Sequence, residues 1–358
     1  MPDPRIEEYA RLLVERCVDV RHGDQVLLQA GVPARPLVEE VVRLVSRRGA
    51  YPLTRLSFSQ GIDPNWALEA PEEILSTLPS IERHAFENVD VAIQIYAPEN
   101  VREGAQVPPE RQMLLRQAIA PVMGRFISGD VRWVGCQYPT PALAQEAGMT
   151  LRQFEDFLYG ACLLDWDEEG RKMARIAERF DAAETVRVVG HETDITLSIA
   201  GRSGKVDAGG ANIPGGEVFY SPVEDSATGV VTFSEYPSVY GGHEVSGVRL
   251  RFERGRVVEE SADSGGEFLR SVLDTDDGSR VLGELGIGCN PAIQEHMRNT
   301  LFDEKIYGTV HLAVGAGFPF IGGSNVSTVH WDMVKDLRRG GEIYCDGELV
   351  QRDGEWVF

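Results

Sequence analysis

His330 and Asp332 stand as His-x-Asp in the β-branched stretch Ser327-Thr-Val-His-Trp-Asp-Met-Val334, which reads as a strand or its end. Side chains two apart on a strand project to the same face, so this imidazole and this carboxylate point into one space. A second imidazole, His311, lies in the glycine-flanked strand pattern Thr309-Val-His-Leu-Ala-Val-Gly315. Imidazole with carboxylate is the donor set that zinc, cobalt, manganese and ferrous iron accept. Each residue alone has a bland alternative, since a single strand histidine is commonly a hydrogen-bonded core residue. Together they reinforce one another, because Asp332 is costly to bury without a compensating partner.

Two glutamates extend the set. Glu217 follows flexible glycines in Asn212-Ile-Pro-Gly-Gly-Glu-Val-Phe219, and Glu284 sits inside the apolar, glycine-bearing Arg280-Val-Leu-Gly-Glu-Leu-Gly-Ile-Gly288. A strand-interior carboxylate needs a counter-charge, and a metal ion is one of the few adequate ones. Glu304, in Leu301-Phe-Asp-Glu-Lys305, has the surroundings of a solvated turn. Three acidic residues and two histidines are more ligands than one divalent ion takes. They suit two ions about 3.5–4 Å apart, bridged by a carboxylate and a water. Such a pair lowers the pKa of the water and polarises a carbonyl oxygen, which is the chemistry of amide hydrolysis.

Other chemistries lack their residues. There is no Gly-x-x-x-x-Gly-Lys-Ser/Thr phosphate loop, and Gly283, Gly286 and Gly288 do not follow the dinucleotide-binding order. His-Glu-x-x-His and Gly-x-Ser-x-Gly are both absent, which removes the helix-borne zinc site and the nucleophile elbow.

The elements that must position these residues fall into two textures. Up to about residue 183, helices and strands alternate: a helix over Ile6 to Val18, strands at Gln25 to Gln29, Pro52 to Phe58, Val89 to Tyr96 and Val131 to Gly135, and helices at Ala34 to Arg48, Pro71 to Leu78 and Glu110 to Met123, with two helical stretches up to Ala182. This predicts an open α/β domain with a mostly parallel sheet covered on both faces. From Glu184 the chain becomes glycine-dense and strand-rich, with strands at Val186 to Val189, Thr193 to Ile199, Gly229 to Phe233, Val245 to Phe252 and Val257 to Ser261. Helices are expected at Gly265 to Leu273 and Ala292 to Leu301. The expectation is therefore an α/β domain over 1–183 and a β-rich α+β metal-binding catalytic domain over 184–358.

The 358 residues carry a formal charge of −21, with 42% hydrophobic and 25% charged residues. That is a folded composition, and its sign argues against nucleic acid and anionic membrane as partners. Five scattered cysteines without a Cys-x-x-Cys pair offer neither a disulfide framework nor a thiolate zinc site. The acidic N-terminus is not expected to act as a signal peptide, and no apolar run reaches the roughly 20 residues that span a bilayer. A cytoplasmic location is expected.

The segments His191-Glu-Thr-Asp-Ile-Thr-Leu-Ser-Ile-Ala-Gly-Arg202, Asn212 to Phe219 with Ser221-Pro-Val-Glu-Asp-Ser226, Leu282-Gly-Glu-Leu-Gly286, and Phe302-Asp-Glu-Lys through His311 to His330-Trp-Asp-Met-Val334 resemble the aminopeptidase T family of metallopeptidases. The motifs occur in the family's order and cover nearly all of the C-terminal half. The resemblance implies a dinuclear exopeptidase using two divalent ions (zinc, cobalt or manganese), acting on peptides with a free N-terminus through a bridging hydroxide, as a homodimer. It also implies Glu217, Glu284, Glu304, His311, His330 and Asp332 as metal ligands, Glu304 by the loosest match, with Glu284 the bridge and the catalytic carboxylate. One departure stands out: the family commonly has tyrosine seven residues after the first histidine, and this chain has Phe318. Loss of one such hydrogen-bond donor costs on the order of 10²–10³ in rate unless another group replaces it.

Two further readings compete. His311, His330 and Asp332 alone would form a two-His-one-carboxylate iron triad, resembling ring-cleaving dioxygenases, although Glu217 and Glu284 have no place in it. A binding protein with one structural metal and no turnover is the other. Phe219, Tyr220, Phe318 and Phe320 lie near the motifs and suit either a pocket or a core.

Overall fold

The computed structural model describes residues 3–59 and 63–358, the side chains of 109 and 127 excepted. The chain divides into two compact units, one of residues 1–163 and 209–214, the other of residues 164–208 and 215–358.

The first unit runs α1 (Pro4–Arg11), β1 (Gln25–Gly31), α2 (Arg35–Arg47), β2 (Tyr51–Ser57), α3 (Pro64–Glu69), α4 (Glu72–Leu75), α5 (Ser80–Asn88), β3 (Val91–Tyr96), α6 (Pro109–Ile127), β4 (Arg132–Gln137), α7 (Pro141–Glu146) and α8 (Leu151–Cys162). Asp3 caps α1 by accepting from the Arg5 N–H, and Thr150 with Gln153 forms a capping box at α8, the side-chain acceptors that free helical N–H groups require. The central strands β1 and β3 are short apolar runs, Val26 to Leu28 and Val91 to Ile93, buried as a parallel sheet demands, whereas the edge strand β2 is largely exposed. Their order is β2-β1-β3-β4, and every pairing is parallel. After β2 the chain crosses to the other side of β1, so the winding direction reverses between β1 and β3.

The second unit begins with α9 (Trp166–Asp181), the helical stretch expected at the end of the first domain. Strands β5 (Thr185–Gly190), β6 (Thr193–Ser198) and β7 (Lys205–Asp207) follow. The chain then lends β8 (Asn212–Ile213) to the parallel sheet of the first unit, beside β4. The rest comprises β9 (Glu217–Tyr220), β10 (Thr228–Phe233), β11 (Ser238–Tyr240), β12 (His243–Val245), β13 (Val248–Glu253), β14 (Arg256–Ser261), α10 (Gly266–Leu273), β15 (Leu282–Gly288), α11 (Thr300–Asp303), β16 (Thr309–Gly315), β17 (His330–Asp336), β18 (Glu342–Cys345), β19 (Glu348–Arg352) and β20 (Glu355–Trp356). An eight-stranded sheet (β14-β13-β10-β6-β5-β18-β19-β20) and a five-stranded sheet (β17-β16-β15-β9-β7) contribute to one hydrophobic cluster. Val188, Ile195 and Leu250 enter it from the first sheet, and Val218, Leu285, Leu312 and Met333 from the second. The expected α/β region followed by a β-rich region is thus what the chain forms.

The helix expected at Ala292 to Leu301 does not exist. That stretch is irregular, with only α11 at its end. Asp303 explains this, because its buried carboxylate accepts from the backbone N–H groups of Met297 and Asn299, both at 2.6 Å, and Arg298 takes a φ of 57°. A side chain that captures backbone donors competes with the helical ladder.

Asp276 ties the connection between α10 and β15 to the chain entering β17. Its carboxylate accepts from Gly278 N and Ser279 Oγ on one side, and from Ser327 Oγ (2.8 Å), Thr328 N (2.8 Å) and Thr328 Oγ1 (2.9 Å) on the other. Burial alone would raise its pKa, but these donors hold it well below the usual carboxylate range. A depressed pKa stabilises the fold above the unfolded value of about 4 and loses that contribution as pH falls toward the folded value. Asp276→Asn is expected to lower stability at neutral pH by roughly 1–3 kcal/mol. In thermal or urea unfolding, the gap to the parent chain should shrink as pH drops below about 4. A gap that does not change with pH would refute the assignment.

Candidate metal centre

Along the strands of the five-stranded sheet, residues alternate between the hydrophobic cluster and the opposite face. In β16, Val310, Leu312 and Val314 belong to the cluster, leaving His311 and Ala313 for the other side. In β17, Trp331 and Met333 face the cluster, so His330 and Asp332 share the opposite face, as their spacing predicts. β15 achieves the same with an irregularity. Its register with β16 shifts between Leu282, opposite Val314, and Glu284, opposite Ala313. The extra residue is Gly283, where an added Cβ would lie 2.4 Å from the Ala316 carbonyl oxygen. Without this bulge Leu282 and Glu284 would point the same way; with it the leucine enters the cluster and the carboxylate faces out.

The neighbours of the polar residues are small. Ala313 lies between Glu284 and Asp332, and Gly286 lies between His311 and Phe219. A Cβ on Gly286 would come within 1.9 Å of His311 Nε2, so the imidazole occupies the space that any side chain would fill.

These rows bring five of the expected residues together. His311 Nε2 lies 3.4 Å from Glu217 Oε2 and 3.5 Å from Glu284 Oε1. His330 Nε2 lies 2.9 Å from Glu284 Oε2 and 3.6 Å from Asp332 Oδ1. Two groups of three could each hold an ion: Glu217, Glu284 and His311, and Glu284, His330 and Asp332. Glu284 belongs to both. His330 Nδ1 lies 2.9 Å from the Ala316 carbonyl oxygen, a contact that makes Nδ1 the protonated nitrogen and leaves Nε2 free to ligate. Asp332 Oδ1 is buried with no hydrogen-bond partner among the described residues, a vacant acceptor suited to a cation.

The electrostatics agree with that fit. Burial raises the pKa of Glu217, with Lys305 opposing, and raises that of Asp332, with His330 opposing. Burial would also raise Glu284, but the two imidazoles more than reverse it. Burial should lower both histidines, yet the carboxylates push each up to about 10. An excess of buried carboxylate thus favours any positive charge brought among it.

Glu304 joins neither group. Its carboxylate pairs with Lys305, whose fully buried Nζ also lies 3.2 Å from Glu217 Oε1. The Asp-Glu-Lys segment is not a solvated turn: Asp303 and Lys305 are both buried. No local pattern marks Lys305, because a charged turn gives no sign of folding inward. The triad of His311, His330 and Asp332 does not form one group either, since the histidines lie in separate groups joined by Glu284. The iron-dioxygenase alternative is therefore not supported. The aromatic residues divide: Tyr220 is core, its hydroxyl donating to Asp181 Oδ1 at 2.9 Å, whereas the Phe318 ring lies 5.0 Å from the His330 ring and 5.4 Å from both Phe219 and Phe320.

Gly286→Ala is expected to displace the His311 imidazole. The variant should keep its circular dichroism spectrum but lose tight uptake of divalent ions, measured by equilibrium dialysis with elemental analysis. Unchanged uptake would show that the glycine does not matter to the site.

A sequence profile described as thermophilic metalloprotease (M29) matches residues 2–356. Aminopeptidase 2 of Geobacillus stearothermophilus is 28% identical, with 99% of this chain and 98% of the relative aligned. Aminopeptidase T of Thermus thermophilus is also 28% identical, over 98% of each chain. The structure of wild-type AmpT from Thermus thermophilus aligns with a TM-score of 0.83 at 24% identity, covering 99% of both chains. With the match running from end to end, this chain belongs to the M29 family of thermophilic metalloproteases.

Proposed function

We propose that this chain is an aminopeptidase that hydrolyses the N-terminal peptide bond of peptides with two divalent ions held by Glu217, Glu284, His311, His330 and Asp332. The observation that carries the reading is the membership of Glu284 in both three-residue groups, the arrangement of a carboxylate bridging a pair of ions. The names of the aligned relatives support the exopeptidase assignment. When bound, zinc, cobalt or manganese ions would supply a water of lowered pKa and a Lewis acid for the scissile carbonyl.

The chain's own residues do the rest. Glu284 fixes both Nε2 atoms at one locus. Lys305 engages one oxygen of Glu217 and leaves the other toward His311, a fixed cation that limits the repulsion among the carboxylates. Phe219, Phe318 and Phe320 make an aromatic shelf beside His330, against which an apolar N-terminal side chain would pack. Phe318 brings ring surface where the family pattern has a phenol, which trades a hydrogen-bond donor for substrate contact. Residues 184–358 contain every one of these groups and constitute the catalytic domain in this reading. On the family resemblance, the reading extends to a cytoplasmic homodimer.

Protein purified without chelator should carry close to two divalent ions per chain and release leucine from its anilide, with chelation abolishing both. A single iron without anilide hydrolysis would sink the proposal. Glu284→Gln is expected to reduce kcat/KM by about 100-fold or more and to lower the metal count. Phe320→Ser should lower kcat/KM for leucine and phenylalanine anilides about 5–30-fold, the equivalent of about 1–2 kcal/mol of apolar contact. The alanine anilide should be nearly unaffected, and an equal loss on all three would remove the shelf from substrate binding.

A further inference from the structure

The N-terminal unit contains a half-open cavity of about 550 Å³ that the peptidase reading does not use. Its floor is the carboxyl ends of three parallel strands: Arg55 to Ser57 from β2, Gln29 and Ala30 from β1, and Gln94 and Ile95 from β3. The winding reverses between β1 and β3, and in open α/β sheets the crevice outside the carboxyl ends at such a reversal is where ligands bind. Helices α4, α5 and α6 wall it with Leu75, Phe86 and Ile119, and Trp66 lines it from α3. The volume lies within the usual range for a site that holds a small organic molecule.

The floor carries an unusual polar row. Gln29 is in register with Arg55 on one side and Gln94 on the other, so the three side chains project from one rung at intervals of about 4.8 Å. A parallel strand between helical layers is ordinarily apolar here. Neither glutamine carboxamide has a protein hydrogen-bond partner among the described residues. Arg55 is held by an ion pair with Glu82 from α5, which neutralises it. The cavity therefore combines apolar walls, a half-exposed indole and a line of two free amides, each offering both a donor and an acceptor.

We infer that this cavity is a binding site for a flat heterocycle, of the nucleobase class, held edge-on to Gln29 and Gln94 and stacked on Trp66. A carboxamide reads the adjacent donor and acceptor of a base edge, and an aromatic side chain accepts the ring face whatever the base. Arg116, an exposed cation among the lining residues, is where a phosphate on the same ligand would lie.

The test uses the full chain with its metals. Adenosine, guanosine, cytidine and uridine are titrated by calorimetry and ligand-observed NMR, with AMP as the phosphorylated arm and phenol as the plain aromatic control. Saturable binding of at least one nucleoside with Kd below about 1 mM, weakened about tenfold or more by Gln29→Leu or Gln94→Leu, is the expected result. Leucine anilide hydrolysis should be unchanged in both variants, which reports that they fold. Trp66→Leu, on a different element, should weaken the same ligand. Tighter binding of AMP than adenosine would identify the phosphorylated source of the same base. Absence of binding by all four nucleosides, phenol binding as tightly as any of them, or undiminished binding in both glutamine variants would overturn the inference.

Discussion

Glu284 is buried on a sheet face, and its charge has to be met there. An ionised carboxylate without a partner in a low-dielectric interior is prohibitively costly, and Glu284 meets that demand with two imidazoles, one on each oxygen. The other acidic groups follow from it. Glu217 reaches the same locus from one side and Asp332 from the other, which adds negative charge faster than the histidines can compensate it. Lys305 offsets part of the excess. What remains is a demand for further positive charge, which a divalent metal of the kind a metalloprotease uses would meet.

The same sheet serves two purposes that usually conflict. One face completes the hydrophobic cluster of the second unit, and the other collects charge. Alternation along β16 and from His330 to Met333 in β17 keeps the two apart, and β15 needs a bulge at Gly283 to comply; further along β17, the buried Lys335 pairs with Glu235. Small residues then decide reach. Long side chains on neighbouring strands can converge because Ala313 and Gly286 occupy the intervening positions with almost no volume.

Much of this was legible in the sequence. His-x-Asp in a β-branched run announces its shared face by period alone, and a glutamate inside Leu282-Gly-Glu-Leu-Gly286 advertises a buried charge. The alternating first half and glycine-dense second half announce their sheet types in the same way. Other features depend on contacts that local pattern does not encode. Lys305 and Asp303 sit in a segment whose composition is that of a surface turn, and only long-range packing turns it inward. The apolar spacing from Ala292 to Leu301 suggests a helix, but Asp303 claims its backbone donors. Phe219 and Tyr220 are adjacent and aromatic, and opposite faces of one strand send them to different fates.

Because ligands and core residues alternate on the same strands, the site and the core cannot change length independently of each other. Inserting or deleting one residue within β15, β16 or β17 would exchange the two faces beyond that point, placing charge in the hydrophobic cluster and leucine among the acidic side chains. Yet the alignment with the Geobacillus aminopeptidase spans 411 positions, against 358 residues here, so the lineage has tolerated considerable insertion and deletion. Loop closure changes slowly with loop length, which leaves the connections free to vary. The strands thus act as a reading frame, and a change of length is cheap only in the joints between them.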